Sequence, residues 1–248
     1  MRTGFASGMP LCALLLLSAC AGGPVDEGDT GRDQRAASID AVDLSGTWAS
    51  HVTTTGTITV PLVNNQPATI DLILRIVIAQ DGADLTNHLE FCQLNTQTSG
   101  GSLVVNFPPA VLALLTDDQS EPAPDVDVGD PVPVPDFSIV VGQDADGNPV
   151  DDDADGNDGV TIPTRLLGSN IMSFSGLDIA LSFPSVTLTD ADTLSGDSAF
   201  ATSGTVFDTQ PLGLSGPIAV TPDNPTTPFT AARLAGDVPC SEVLGLFP

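Results

Sequence analysis

The sequence predicts an all-β domain, an antiparallel barrel or sandwich of about eight to ten strands, and three observations lead there. Short runs rich in Thr, Val and Ile recur between clusters of Gly, Pro, Asn and Asp, the residues that form turns. The clearest run, Ile70 to Ile78, alternates so that Ile70, Leu72, Leu74, Ile76 and Ile78 share one face of a strand. Only Glu27, Glu90, Glu121 and Glu242 among the 32 acidic residues are glutamate, and aspartate suits turns and oxygen-rich cation sites better than helix surfaces. Apolar residues make up 41% of the chain but aromatics only 4%, with no tyrosine, so aliphatic side chains must fill the core.

Taken from the start, residues 1–19 read as a signal segment. Arg2 gives a short positive region, and Met9 to Leu17 an apolar stretch too short to cross a bilayer as a permanent helix. Leu17-Ser18-Ala19-Cys20 follows and resembles the lipobox of bacterial lipoproteins. The resemblance implies cleavage before Cys20, lipid on its sulfur and amine, and a stable membrane anchor, because more than one acyl chain is held. Ala21, in place of the aspartate that resembles an inner-membrane retention signal, implies the outer membrane. Ala19-Cys20-Ala21 also fits an ordinary secretory cleavage site, which would export the chain without lipid. Residues 20–43, rich in Gly, Asp and small residues, are expected to be a flexible tether.

Residues 44–248 are expected to form a single β-domain. Strands are predicted from Thr47-Trp48 through Val60 and over 70–78, 84–92, 102–107, 137–141, 160–167, 179–188, 198–207 and 228–234, with one short helix over 109–115. Residues 116–159 form an acidic, Pro-rich insertion, of which 116–136 is expected to be an extended loop. No repeat of about 20–50 residues is present. With Cys12 discarded and Cys20 carrying lipid, as the lipobox implies, Cys92 and Cys240 remain. In an oxidising setting they are expected to pair, a link worth about 4–5 kcal/mol in the chain-entropy account; two buried thiols are the alternative.

The strongest chemical signal is Asp144 to Gly159, with seven aspartates and no base. Short carboxylates at alternate positions can gather 6–8 oxygens around a hard cation, which makes calcium the expected cofactor. Two registers resemble the Asp-rich calcium loops of the EF-hand and thrombospondin type 3 families. In the first, Asp144, Asp146, Asn148, the Val150 carbonyl, Asp152 and Asp155 fall on ligand positions, with Pro149 where the family has glycine. In the second, Asp151, Asp153, Asp155 and Asp158 do so, with Gly156 in place and Ile162 where a terminal acid is expected. Strand-like flanks replace the paired helices of an EF-hand. The alternative is a solvated acidic linker.

Gly46-Thr47-Trp48 resembles the Gly-x-Trp signature of lipocalin and avidin-like barrels, and the resemblance implies that Arg233, near the last strand, packs over Trp48. Without that likeness Trp48 reads as a core residue closing one end of a sheet. A formal net charge of −26, with 6 arginines and no lysine, excludes nucleic acid as a partner. His51 and His88 are too few for a His-rich zinc site, no HExxH, GxSxG or P-loop spacing occurs, and pairs such as Asp190 and Asp192 are expected by chance. Gly159-Val160-Thr161 after the Asp-rich loop resembles uncharacterised bacterial lipoproteins, a likeness that names no activity. The expected function is a non-enzymatic, membrane-anchored, calcium-stabilised envelope protein with a structural or adhesive role toward a surface partner. The alternatives are a lipocalin-like carrier of a small apolar ligand and an extracellular hydrolase.

Overall fold

The computed structural model describes residues 41–60, 63–81, 84–122, 125–166 and 168–247. The signal segment, Cys20 and the tether up to residue 40 lie outside the described residues.

Eleven strands form one antiparallel sheet. They are β1 (Gly46–Val60), β2 (Val63–Asp81), β3 (Asp84–Thr98), β4 (Leu103–Asn106), β5 (Thr116–Pro122), β6 (Phe137–Val141), β7 (Val160–Leu166), β8 (Ser169–Asp190), β9 (Thr193–Gln210), β10 (Gly216–Pro222) and β11 (Thr227–Leu234). Helix α1 (Pro109–Leu112) follows β4, and α2 (Cys240–Val243) with a short 3₁₀ turn (Leu244–Leu246) ends the chain.

The sheet closes on itself through a ring of eight strands. Neighbours run β1-β2-β3-β4-β7-β8-β9 and return to β1, so the ring follows chain order apart from the excursion between β4 and β7. The returning strand is made of two pieces laid end to end. β11 pairs with the first part of β9 and with Thr47–Ser50 of β1, and β10 pairs with a later part of β9 and with Gly56–Thr59 of β1. The same device serves β3, whose one end pairs with β4 and whose other end pairs with β5. Along β8, β7 and β6 lie in succession.

Alternation decides which side chains enter the ring. On β1, Trp48, Val52, Ile58 and Val60 are buried, while His51, Thr53, Thr55 and Thr59 point to solvent. The predicted inner face of β2 holds, with Ile70, Leu72, Leu74, Ile76 and Ile78 all buried. Trp48 plugs one end, donating from its indole nitrogen to the Leu44 carbonyl at 3.0 Å. The space between Ile58, Thr96, Val105, Phe174, Thr202 and Ile218 amounts to about 30 Å³, the size of one water.

The C-terminal residues 235–247 cross the outside of β1, β2 and β3 as a strap. Val243 is buried against Ala49, Ile73 and Cys92, which face outward from the ring. The expected disulfide is present, joining Cys92 to Cys240 with Cα atoms 5.0 Å apart across 148 residues. Arg75, outward from β2 and only 8% exposed, donates to the Val238 carbonyl at 2.7 Å and to Glu90 at 2.7 Å, and pairs with Asp237.

The structure differs from the sequence expectation in two added strands and in the lengths of several elements, among them the helix, which covers Pro109–Leu112 of the expected 109–115. Residues 116–122 form β5 where a loop was expected, because Thr-Asp-Asp-Gln-Ser-Glu-Pro has no apolar alternation and is a strand by main-chain pairing to β3 alone. β10 was not expected, since Gly216 to Pro222 offers a short apolar centre between glycine and prolines. β2, β3, β8 and β9 extend beyond their predicted limits, and the added part of β8 carries Met172, Phe174 and Leu177 into the core between polar neighbours that weaken the apolar period. The rest of the expected loop, 125–136, spans the gap between β5 and β6. It bonds to the end of β8 through Gly129 and Val132 as donors and the Asp130 carbonyl as acceptor.

Asn87 faces into the ring, fully buried, with neither amide atom bonded to another protein group. An unpaired buried amide costs about 1–3 kcal/mol. Asn87→Leu is therefore expected to raise the melting temperature by about 2–4 °C for each kcal/mol recovered. A drop in thermal melts would instead show that the amide is satisfied in solution.

Candidate metal centre

The acidic loop, residues 142–159, joins two strands that sit in line on the same neighbour. β6 ends with Val141 opposite Leu177 of β8, and β7 starts with Val160 opposite Phe174. The loop must therefore leave the wall and return at almost one point. Gly142 and Gly159 make that neck, with φ of +79° and +82°. A Cβ on Gly142 would stand 2.6 Å from the Phe174 carbonyl oxygen, and one on Gly159 2.3 Å from it. Asp152 fastens the neck by accepting from the Gly142 N–H at 2.6 Å.

The loop contains two turns. In the first, the Asp144 carboxylate accepts from the backbone N–H groups of Asp146 at 2.9 Å and Asn148 at 2.8 Å, and from the Asn148 side-chain amide. The Asn148 side-chain bond, with backbone donors behind it, holds Asp144 below the ordinary aspartate pKa. The Val150 carbonyl accepts from the Asp152 N–H at 2.9 Å. These bonds hold the turn, and none of these atoms joins the cluster of converging carboxylates.

The second turn gathers carboxylates. Asp151, Asp153 and Asp155 each bring one oxygen within 4.8 Å of the others, the spacing of a group that can hold a metal ion. Asp151 accepts from the N–H groups of Asp155 at 3.1 Å and Gly156 at 2.9 Å, and Asp155 accepts from that of Asn157 at 2.8 Å. Ala154 at φ +56° and Gly156 at φ +88° curl the backbone enough to turn the three side chains inward. Asp153 reaches furthest into the protein. One of its oxygens accepts from the Thr161 N–H of β7 at 2.8 Å, while the other, Oδ1, is buried without a hydrogen-bond partner.

Burial raises the Asp153 pKa, and the Asp155 charge and Asp151 add to the rise against the bond from Thr161. Burial also acts upward on Asp155, but its bonds from Asn157 outweigh it and the net shift is downward. A partly buried carboxylate with an orphaned oxygen, flanked by two others, matches the donor set of a hard cation. Of the sequence candidates, the structure brings together Asp151, Asp153 and Asp155. Asp144, Asp146, Asp152 and Asp158 stand outside the group, and Asn148 and Val150 are held in the first turn. Ile162, where the second register needs a terminal acid, is fully buried in the core.

Trp48 and Arg233 lie directly opposite each other on β1 and β11, and the guanidinium carbon sits 4.7 Å from the indole centroid. The aliphatic part of Arg233 lies 3.6 Å from where a Cβ of Gly46 would be, an ordinary contact distance, so it is the φ of +144° and not space that favours glycine here. Asp43, through its carbonyl, accepts from the same guanidinium at 2.5 Å. The sequence reading missed a polar chain on the outer wall that runs from Asp237 through Arg75, Glu90 and His88 to Asp118. Its sequence signal was the arginine that interrupts the apolar run Leu72 to Ile78. The chain matches no family model and no curated protein.

Both neck glycines combine left-handed backbone with a blocked Cβ. Gly159→Ala is expected to cost at least about 2 kcal/mol in chemical denaturation. Gly147→Ala, at φ +83° in open space, should cost only about 1–2 kcal/mol. Equal effects would mean that the neck is not constrained by Phe174.

Proposed function

We propose that this is a lipid-anchored, calcium-stabilised envelope protein that acts through structure or adhesion and not through catalysis. The observation that carries the cation part is the buried, unpartnered Oδ1 of Asp153 beside Asp151 and Asp155. Calcium would be held by these carboxylates, with carbonyls or water filling the remaining positions, and would supply the positive charge that three converging aspartates lack. No helix among the described residues is long enough and apolar enough to cross a membrane. The wall of the ring is polar outside and apolar inside, the reverse of a barrel that meets lipid. Both facts support a domain that stands off the bilayer on an acylated Cys20.

The carrier reading draws support from the Trp48–Arg233 stack and the closed ring. Against it stands the interior, where about 30 Å³ is an order of magnitude below a ligand pocket. The two histidines occupy separate places, His51 on β1 and His88 on β3. Each lies on the outer wall and is bonded to carboxylates, His51 to Asp71 and His88 to Asp118 and Glu90.

Calcium at about 1 mM, within the range of extracellular modules, is expected to raise the melting temperature of the intact protein, and Asp153→Asn to abolish the rise. No shift in the intact protein, or an undiminished shift in the variant, would sink this site. For the anchor, Cys20→Ala should move the protein from the detergent-extracted membrane fraction to soluble or unprocessed material with the Cys92–Cys240 link intact. Equal membrane recovery of both forms would contradict it.

A further inference from the structure

We propose that His88 is a proton-operated latch that ties β5 to the ion network under the C-terminal strap and releases β5 when it loses its charge. The geometry carries this. His88 Nδ1 lies 2.7 Å from Asp118 of β5, and Nε2 lies 3.1 Å from Glu90 of β3. Both partners are carboxylates and can only accept. A neutral imidazole donates from one nitrogen alone, whereas imidazolium donates from both. On deprotonation one contact therefore becomes a lone pair facing a carboxylate.

The charged groups around His88 come from its own strand, through Glu90, and from four other elements. Arg75 of β2 bonds the other oxygen of Glu90, Asp118 comes from β5, Asp237 from the strap pairs with Arg75, and Arg233 of β11 lines the same outer cleft. Burial disfavours the charged ring, but bonds and charges from Asp118 and Glu90 outweigh it and raise the His88 pKa above 6.5. The sign follows directly. The stabilisation is complete below the ordinary histidine pKa and is lost as pH rises through the elevated value.

β5 is the strand on which this loss would register. Its backbone pairs with β3 only, and it forms no ladder with β6 across the gap. Its inner face is Asp117, Gln119 and Glu121, which contribute little apolar burial. Asp118 stands directly opposite His88 in the register. Loosening β5 would uncover Leu85 and Leu89 of the inner wall, while the disulfide still holds the strap at Cys240.

Amide hydrogen exchange on the full chain tests the latch at about pH 5.5 and about pH 8.5, after correction for intrinsic exchange. In the wild type, amides 117–121 are expected to lose protection by about tenfold between the two conditions, while β10 amides 218–220 do not. His88→Gln should show the low protection of the alkaline wild type at both. Asp118→Asn, a milder change at an exposed side chain, should likewise flatten the response. Wild-type protection that stays constant or rises with pH, or an undiminished response in His88→Gln, overturns the proposal.

Discussion

Closing the sheet is the constraint from which the rest of this structure follows. An open edge leaves a row of N–H and C=O groups unpaired, and closure alone removes such edges. Here the long strands β3, β8 and β9 find a partner of their own length on one side only, β2 for β3 and each other for β8 and β9, and on the other side none does. Each is served by two shorter pieces placed end to end, β4 with β5, β7 with β6, and β10 with β11. Chain must leave the wall wherever one piece stops and the next begins. The acidic loop is one such departure, the segment 107–115 with α1 is a second, and the turn between β10 and β11 is a third. The loop is thus a by-product of closure that has acquired its own chemistry.

A closed ring also fixes what the two sides of the wall can do. Its inside is filled by aliphatic side chains from alternate positions, with Trp48 as the plug, so little room is left for anything else. The strap, the loop and the polar network all lie on the outside. The disulfide and Arg75 act on the same strap at neighbouring points, Cys240 and residues 237–238. Burying Arg75 is tolerable because a carbonyl and two carboxylates take its donors, which offsets its desolvation.

The legible parts were those governed by apolar period. Ile70 to Ile78 announced its inner face, and Trp48 with Arg233 announced the meeting of first and last strands. β5 was illegible because no side-chain pattern creates it; the partner strand and the departure from β4 do. In the loop, composition pointed to the right segment but offered two registers. Their resolution depended on a backbone course that sequence does not display: Asp144 folds back onto Asn148 away from the converging carboxylates, and Ile162 enters the core on β7. The outer network escaped notice because Arg75, His88, Glu90, Asp118 and Asp237 come from four separate segments.

Charge unites these features. With a net charge of −26 the folded chain repels itself, and each positive group counts where two segments meet. Arg233 joins the entering chain at Asp43 to β11 and covers Trp48, and Arg75 joins the strap to β2 and β3. The neck of the acidic loop has no such arginine. Asp152 reaches Gly142 there and Asp153 reaches Thr161, so two carboxylates hold the start of β7 while Asp151 and Asp155 crowd beside them. β7 in turn closes the ring through only a short ladder to β4, Leu103 to Val105 against Thr164 to Leu166. The proposed calcium would therefore occupy a junction of the wall whose loop, Asp144 to Gly159, supplies seven aspartates and no base. Its largest effect would fall on closure.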